Sequence, residues 1–170
     1  MDSEHFWQLV TTSTPLSSDE DSIANELRAK LEELSDDELR IFDKQYAATM
    51  KAAYTWPLWG AAHVITGGCG YDDFIDFRNW LISRGRNVFD RALAEPDSLV
   101  DIDISKVENE PMPFVADYDL VAGQVYEERH LDDELPFSPQ VPDEPSGEEW
   151  QDSPKVLAEL YPKLFARFQQ

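Results

Sequence analysis

Apolar side chains recur at helical spacing behind hydrogen-bonding caps along most of this chain, a pattern that favours helices over strands. The clearest example begins at Ser35, where a Ser-Asp-Asp-Glu run places Glu38 at the spacing of a capping box. The apolar residues that follow are three or four positions apart and share one helix face: Leu39, Phe42, Tyr46, Met50 and Ala53. This period predicts a fold built by packing helix on helix.

Continued along the chain, the same reading predicts an all-α, mainly helical fold with one compact domain over residues 1–170. We expect about six to eight helices, with the core helices within about 3–95 and 114–130 and a C-terminal helix over 154–168. Ser3 is expected to cap the first of these helices. Residues 100–113 contain a weak strand-like alternation, but their prolines and scattered charges predict an extended loop.

The stretch from Leu131 to Pro154 contains five prolines and eight acidic residues, and it contains no basic residue. Such a composition cannot bury enough apolar area to form its own core, so it predicts a long acidic, proline-rich loop before the C-terminal helix. Phe137 and Trp150 are expected to dock this loop onto the helical body. Pro162 is expected to shorten or kink the C-terminal helix.

The charge of the chain is strongly acidic, with 35 acidic and 14 basic side chains and a net charge of −21. Such a field repels phosphate backbones, so the sequence argues against a nucleic-acid ligand. It permits a basic protein partner, a cation, or a purely solubilising role. The loop supplies four candidate partner-binding acids: Asp143, Glu144, Glu148 and Glu149.

Two further observations concern the compartment. A single cysteine cannot form an internal disulfide, and the first residues have neither a basic n-region nor an apolar h-region. No stretch approaches the roughly 20 apolar residues of a membrane span. We therefore expect a soluble, cytoplasmic protein without a membrane segment, and the oligomeric state stays open.

Residues 56–99 contain three of the five tryptophans, the only cysteine and one of the three histidines. Thr55 is expected to cap a helix with Pro57 in its first turn, which ends at Gly67-Gly68. One hypothesis is a pocket in which an arginine holds a carboxylate or phosphate between tryptophan walls. Aromatic residues at helical spacing are also typical of a core. The pocket candidates are Trp56, Trp59, His63, Cys69, Trp80 and Arg84.

Asp72, Asp73 and Asp76 lie at a predicted helix start with spacing that places carboxylates on neighbouring positions of one face. They are candidate ligands for a divalent metal, or a pair in which one carboxyl has a raised pKa for acid–base work. The alternative is structural, because aspartates at a helix start cap free amides and Asp76 can pair with a nearby arginine. Both interpretations stay open.

His63 precedes Cys69 by six residues, a pairing that would suit a nucleophile with its base or two zinc ligands. A hydrogen-bonded histidine beside a packed thiol explains the same residues without chemistry. The glycines around Cys69 do not make a phosphate loop, since no strand precedes them and no Lys-Ser/Thr follows. The candidate catalytic residues are therefore His63, Asp73 and Arg78, and no cofactor is predicted.

Several rare residues occur together in a recognisable order. They read Trp56-x-Leu58-Trp59-x-Ala61-Ala62, then Gly67-Gly68-Cys69, then Asp72-Asp73-Phe74-x-x-Phe77-Arg78-x-Trp80-Leu81-Ile82, and finally Pro96-Asp97-Ser98-Leu99. This signature resembles the bacterial domain-of-unknown-function family 4240, over Phe6 to about Phe168. The resemblance implies a largely helical bacterial domain with no assigned reaction.

Two functions from different classes fit the sequence. The first is a non-enzymatic acidic protein-interaction module that engages a basic partner, as an immunity protein, inhibitor or regulator would. The second is a metal-dependent enzyme or small-ligand binder that uses Asp72, Asp73, Asp76 and Arg78. One observation distinguishes the two functions. If the candidate residues of 56–99 converge on an open pocket, the enzyme or ligand binder is favoured, and if they interlock in a closed core, the acidic surface is favoured.

Overall fold

The computed structural model describes residues 1–13, 20–104, 106–107, 110–131, 142 and 144–169. Within them the chain is one mainly helical, compact domain, as predicted. Its α-helices are α1 Ser3–Val10, α2 Glu20–Glu32, α3 Asp36–Ala52, α4 Trp56–Thr66, α5 Tyr71–Ser83, α6 Arg86–Ala94, α7 Val121–Arg129, α8 Pro154–Leu160 and α9 Pro162–Phe168. Two 3-10 helices, Pro96–Asp101 and Tyr118–Leu120, complete the helical elements of this part of the chain.

The capping residues explain where two of the helices begin. At α3 the capping box is present, since Glu38 N donates to Ser35 Oγ at 3.2 Å and Ser35 N donates to Glu38 Oε2 at 2.8 Å. At α1 the cap is Asp2, whose Oδ1 accepts from His5 N at 2.8 Å. Ser3 is the first helical residue, so the cap lies one position earlier than its sequence suggests.

The region between α6 and α7 departs from the predicted loop. Lys106–Val107 (β1) and Glu110–Pro111 (β2) form a short antiparallel pair. The helix expected from position 114 begins only at Val121, after a 3-10 turn. Val115 N instead donates to Asp76 O at 3.0 Å, which ties this extended segment to α5.

The hydrophobic core forms where the apolar faces of the helices meet. Of the predicted stripe, Leu39, Phe42 and Tyr46 on α3 are buried and Met50 is half-buried. The Phe42 ring lies 5.4 Å from that of Phe6 on α1. Tyr118 is buried beside them and its hydroxyl donates to Val10 O at 2.7 Å. Among the described helices, none is both long and apolar enough to cross a membrane.

The C-terminal helices pack against α4 and the 3-10 helix Pro96–Asp101. Pro162 divides the predicted 154–168 helix into α8 and α9, because an interior proline cannot donate the helical hydrogen bond. The Asp97 carboxylate accepts from Lys163 N at 3.2 Å and from Leu164 N at 2.9 Å, and so caps α9. The aspartate of the Pro-Asp-Ser-Leu motif thus stabilises the start of α9.

The last part of the acidic segment lies on the start of α4. Trp56 N donates to Ser146 O at 2.9 Å, and Ser146 N donates to Tyr54 O at 3.0 Å. Trp150 follows, half-buried against the same helix. This arrangement holds the segment before Trp150 against the start of α4, whereas residues 132–141, including the predicted anchor Phe137, lie outside the described chain.

Candidate functional site

Helix α4 carries the first candidate residues because its start is fixed locally. Thr55 is the N-cap and its Oγ1 accepts from Leu58 N at 3.2 Å, with Pro57 in the first turn as predicted. The helix ends at Gly67, which adopts a left-handed conformation with φ of 75°. Trp56, Trp59 and His63 are therefore held on a rigid helix.

A row of stacked indoles runs along one side of α4. Trp56 and Trp59 stack with ring centroids 5.3 Å apart and an interplanar angle of 10°, and Trp150 meets Trp56 edge-on at 6.4 Å. We call Trp150, Trp56 and Trp59 the tryptophan ladder. All three rings are half-buried. The ladder therefore presents part of its aromatic surface to solvent.

The inner end of the ladder continues into the core. Trp59 stacks on Phe74 at 4.9 Å, and its Nε1 donates to Cys69 O at 2.7 Å. Phe74 is fully buried. Trp59 thus connects α4, the glycine-rich turn and α5 by packing and one hydrogen bond.

Arg78 is buried, with 4% of its surface exposed, and its guanidinium lies 4.8 Å from the ring centroids of both Tyr54 and Phe74. Its Nη1 donates to Met50 O at 2.9 Å and its Nε donates to Phe74 O at 3.3 Å. Burial lowers the pKa of this guanidinium, while nearby phenols and Asp119 oppose that shift. Arg78 links α3 to α5, an arrangement unlike the open bidentate arginine expected for a ligand.

The Cys69 side chain is packed in the protein interior and is not accessible to a ligand from solvent. The residue is 8% exposed, and burial together with the neighbouring Asp73 raises the pKa of its thiol to about 12. A thiol with this pKa is protonated at neutral pH and is a poor nucleophile or metal ligand. The structure therefore favours the packed-thiol interpretation of this residue.

The three aspartates at the start of α5 do not cap the helix, although the sequence offered that role for them. Helix α5 begins at Tyr71 with Gly70 as its N-cap, and no side chain caps it. Asp72 and Asp73 are exposed, and Asp76 is half-buried. Within the described part of the chain, no group of three His, Cys, Asp or Glu side chains could hold a metal ion. The acidic first turn still complements the positive end of the helix dipole.

Trp80 and Arg84, two further pocket candidates, lie on the inner face of α5 and at its C-cap. Trp80 is 1% exposed and packs on Phe77 at 5.7 Å, so it is a core residue and does not wall an open pocket. Arg84 is half-buried, and its Nε donates to Ser83 Oγ at 3.3 Å. Burial lowers the pKa of Arg84.

His63 turns away from this closed cluster toward the C-terminal segment. Its Nε2 lies 3.1 Å from Asp152 Oδ1, and its ring lies 4.9 Å from that of Trp150. The expected partner, Cys69, instead accepts from Trp59 through its carbonyl oxygen. The histidine thus has a carboxylate partner that lies 89 residues further along the chain.

His63 and Asp152 stand at a groove of about 340 Å³ between α4 and the C-terminal helices. The residues that line it are His63, Val64, Gly67, Asp152, Pro154, Leu157, Phe165 and Gln169. Of these residues, only His63 is a site candidate predicted from the sequence. No local pattern could identify the others, because the groove forms only when α8 and α9 pack on α4.

The acids proposed for partner binding lie close to the ladder. Glu144, Glu148 and Glu149 are exposed, and the last two immediately precede Trp150. Asp143 lies outside the described residues. Two exposed carboxylates therefore flank the half-buried Trp150 of the ladder along the chain.

The sequence matches a family model, described as a protein of unknown function, over residues 1–128. The chain belongs to the DUF4240 family. The match confirms the expected family, but it ends at residue 128, whereas the resemblance was expected to extend to about Phe168. No curated protein and no solved structure matches the chain. Trp150, Asp152 and the C-terminal helices lie beyond the matched residues, so the ladder and the groove each combine the DUF4240 region with the segment that follows it.

Proposed function

We propose that the protein is a non-enzymatic protein-interaction module that binds a basic partner protein through the tryptophan ladder and its flanking carboxylates. The observation that supports this most directly is the stack of half-buried Trp56 and Trp59, which meets Trp150 directly after exposed Glu148 and Glu149. Tryptophan and tyrosine are enriched at protein interfaces, where the part of the ring that is exposed in the free protein becomes buried against the partner. The chemistry of the surface suits a cationic side chain.

The distribution of basic side chains supports the same proposal. Within the described structure, most cations are already held by this chain's own carboxylates or carbonyl oxygens, or are buried among its side chains. They are Arg28, Lys30, Arg40, Arg78, Arg84, Arg86, Arg91, Arg129 and Arg167. The net charge of −21 therefore leaves a surplus of carboxylates at the surface.

An incoming lysine or arginine would gain two interactions at the ladder. Its methylene stem would pack on the exposed part of the indoles, because both ring faces of Trp59 are already covered by Trp56 and Phe74. It would also be attracted by Glu148 or Glu149 on the adjoining backbone. The overall negative field would accelerate encounter with a basic protein, and salt would weaken that effect.

The proposal is tested on a basic partner captured from the source cells at low ionic strength, then identified and purified. We expect the paired change Glu148→Gln and Glu149→Gln to slow association, and Trp56→Ala to accelerate dissociation. The matched control, Glu32→Gln with Glu33→Gln, removes the same charge at the C-terminal end of α2, which packs on α1 and α7. Capture of no basic protein, or equal effects of the control and the ladder variants, would contradict the proposal.

We further propose a cytoplasmic location, supported by the single cysteine, which cannot form a disulfide within the chain. The enzymatic alternative has less support. Arg78 already donates to carbonyl oxygens of the fold, and the described side chains offer no group of three metal ligands.

A further inference from the structure

We infer that the groove beside His63 binds a lysine side chain of the basic partner. This inference rests on the proposed function, because the groove adjoins the tryptophan ladder: His63 lies 4.9 Å from Trp150, which in turn meets Trp56. A chain that crosses the ladder can therefore place one side chain in the groove. The groove is the anchoring part of the proposed interface.

The shape and chemistry of the groove suit a long side chain with an apolar stem. Its volume is about 340 Å³, and Val64, Leu157 and Phe165 provide apolar walls. Polar groups come from His63, Asp152 and Gln169. A lysine side chain buries its methylene groups along apolar surface while its ammonium reaches a polar end, which matches this division.

The electrostatics of the groove favour a cation. Asp152 contributes a carboxylate, of which Oδ1 is in contact with His63 Nε2 at 3.1 Å. The groove also reaches Gly67, where α4 ends and its dipole is negative. None of the residues that line it is a lysine or arginine. Pro154, the first residue of α8, also lines the groove, so the positive end of that helix opposes the negative end of α4, and the Asp152 carboxylate decides the preference for a cation.

The arrangement of the acceptors favours lysine over arginine. A guanidinium binds best to a carboxylate that offers both oxygens to its planar fork, whereas an ammonium acts as a point charge with rotatable donors. Because His63 engages Oδ1, the Asp152 carboxylate offers one oxygen to an incoming group. Lysine is therefore the better fit.

The test titrates the full chain with Nα-acetyl-lysine-N-methylamide and follows the His63 ring and Trp150 indole signals by NMR. Norleucine and arginine counterparts of the probe serve as comparisons, since norleucine keeps an apolar stem without the ammonium. We expect the lysine probe to shift both signals. We expect about tenfold weaker binding of the norleucine probe, and of the lysine probe to Asp152→Asn, from the loss of one charge-assisted hydrogen bond.

The control variant is Glu159→Gln, which removes an exposed charge from α8 without touching the groove lining. It should bind the lysine probe like the unmodified chain. Equal binding of the lysine and norleucine probes, an unchanged affinity of Asp152→Asn, or arginine binding as tight as lysine would overturn the inference.

The same variants separate this inference from the proposed function. If Trp56→Ala weakens binding of the captured partner but Asp152→Asn does not, the interface stands and the lysine groove is wrong. The opposite result is that the partner binds the ladder variants and the unmodified chain equally, while the lysine probe still binds Asp152→Asn more weakly. The proposed interface is then wrong, and the groove remains a site for alkylammonium groups.

Discussion

The Tyr161 hydroxyl occupies the space in which a Cβ on Gly60 would lie. The same hydroxyl donates a hydrogen bond to Pro57 O at 2.6 Å, and Trp150 Cδ1 would be 2.8 Å from that Cβ. The glycine in the middle of α4 is therefore what allows α8, α9 and the ladder to close against this helix. Without that approach the groove beside His63 would not form.

We predict that Gly60→Ala destabilises the protein, although alanine normally stabilises a helix interior by about 1 kcal/mol relative to glycine. The new methyl group would overlap Tyr161 and Trp150, and such overpacking costs about 1–3 kcal/mol. Urea denaturation gives the free energy of unfolding.

The matched control for Gly60→Ala is Gly123→Ala in α7, where a Cβ meets nothing within 4 Å. This variant should gain about 0.5–1 kcal/mol. Adding Tyr161→Phe to Gly60→Ala should recover part of the loss, because it removes the overlapping hydroxyl. Equal behaviour of the two glycine variants would show that Tyr161 does not press on α4.

Asp97→Ala should destabilise the C-terminal helices. The carboxylate is 8% exposed and accepts from Lys163 N and Leu164 N, and loss of a helix cap costs about 0.5–2 kcal/mol. Asp97→Asn keeps one acceptor and should cost less.

The comparison variant is Asp90→Asn, which breaks an exposed pair with Arg86 and should change stability by less than about 1 kcal/mol. A loss at Asp97 no larger than at Asp90 would refute the capping role.

Local patterns were sufficient to predict the helices that carry their own signals. The capping box at Ser35, the Thr55 cap with Pro57, and the break at Pro162 are each decided within a few residues, and each occurs in the structure. The family resemblance likewise depends on motifs that can be read along the chain. Predictions failed where two local acceptors competed, as at Asp2 and Ser3, where the aspartate rather than the serine caps α1.

The candidate site depends on contacts that no local pattern encodes. His63 meets Asp152 across 89 residues, and Leu164 meets Asp97 across 67. Arg78 was a reasonable ligand candidate by type, but its donors are used by carbonyl oxygens of α3 and α5. Burial and long-range pairing decide such cases, and both arise only when the helices pack.

Asp43→Asn should stabilise the protein at neutral pH. Burial, with a smaller contribution from the Asp119 charge, raises the pKa of Asp43 from 3.8 to about 6. Because the folded-state pKa is raised, the protonated carboxyl contributes stability that is complete below pH 3.8 and is lost as pH rises through about 6. After allowance for solvent screening, we expect the variant to gain about 1–2 kcal/mol at pH 7.5.

The gain from Asp43→Asn should shrink steadily towards pH 4, where Asp43 is protonated in the folded state, and should disappear only below pH 3.8. Urea denaturation at several pH values between 4 and 7.5 measures this difference. The control Asp21→Asn removes an equal charge from an exposed position of α2 and should show no comparable dependence. A gain at Asp43 that is the same at every pH would contradict the raised pKa.

Cys69 should react slowly with a thiol reagent in the folded protein. Burial raises the pKa of the thiol to about 12, so little thiolate is present at pH 8, and the packed side chain limits access. We expect labelling by 5,5′-dithiobis(2-nitrobenzoate) to be at least about a hundredfold slower in buffer than in denaturant, where the pKa returns to about 8.5.

Asp73→Asn should increase the rate in the folded state, because the Asp73 charge contributes to the raised pKa. Exposed Asp90→Asn on α6 provides the control and should leave the rate unchanged. Rapid labelling of the folded chain would restore Cys69 as a candidate nucleophile.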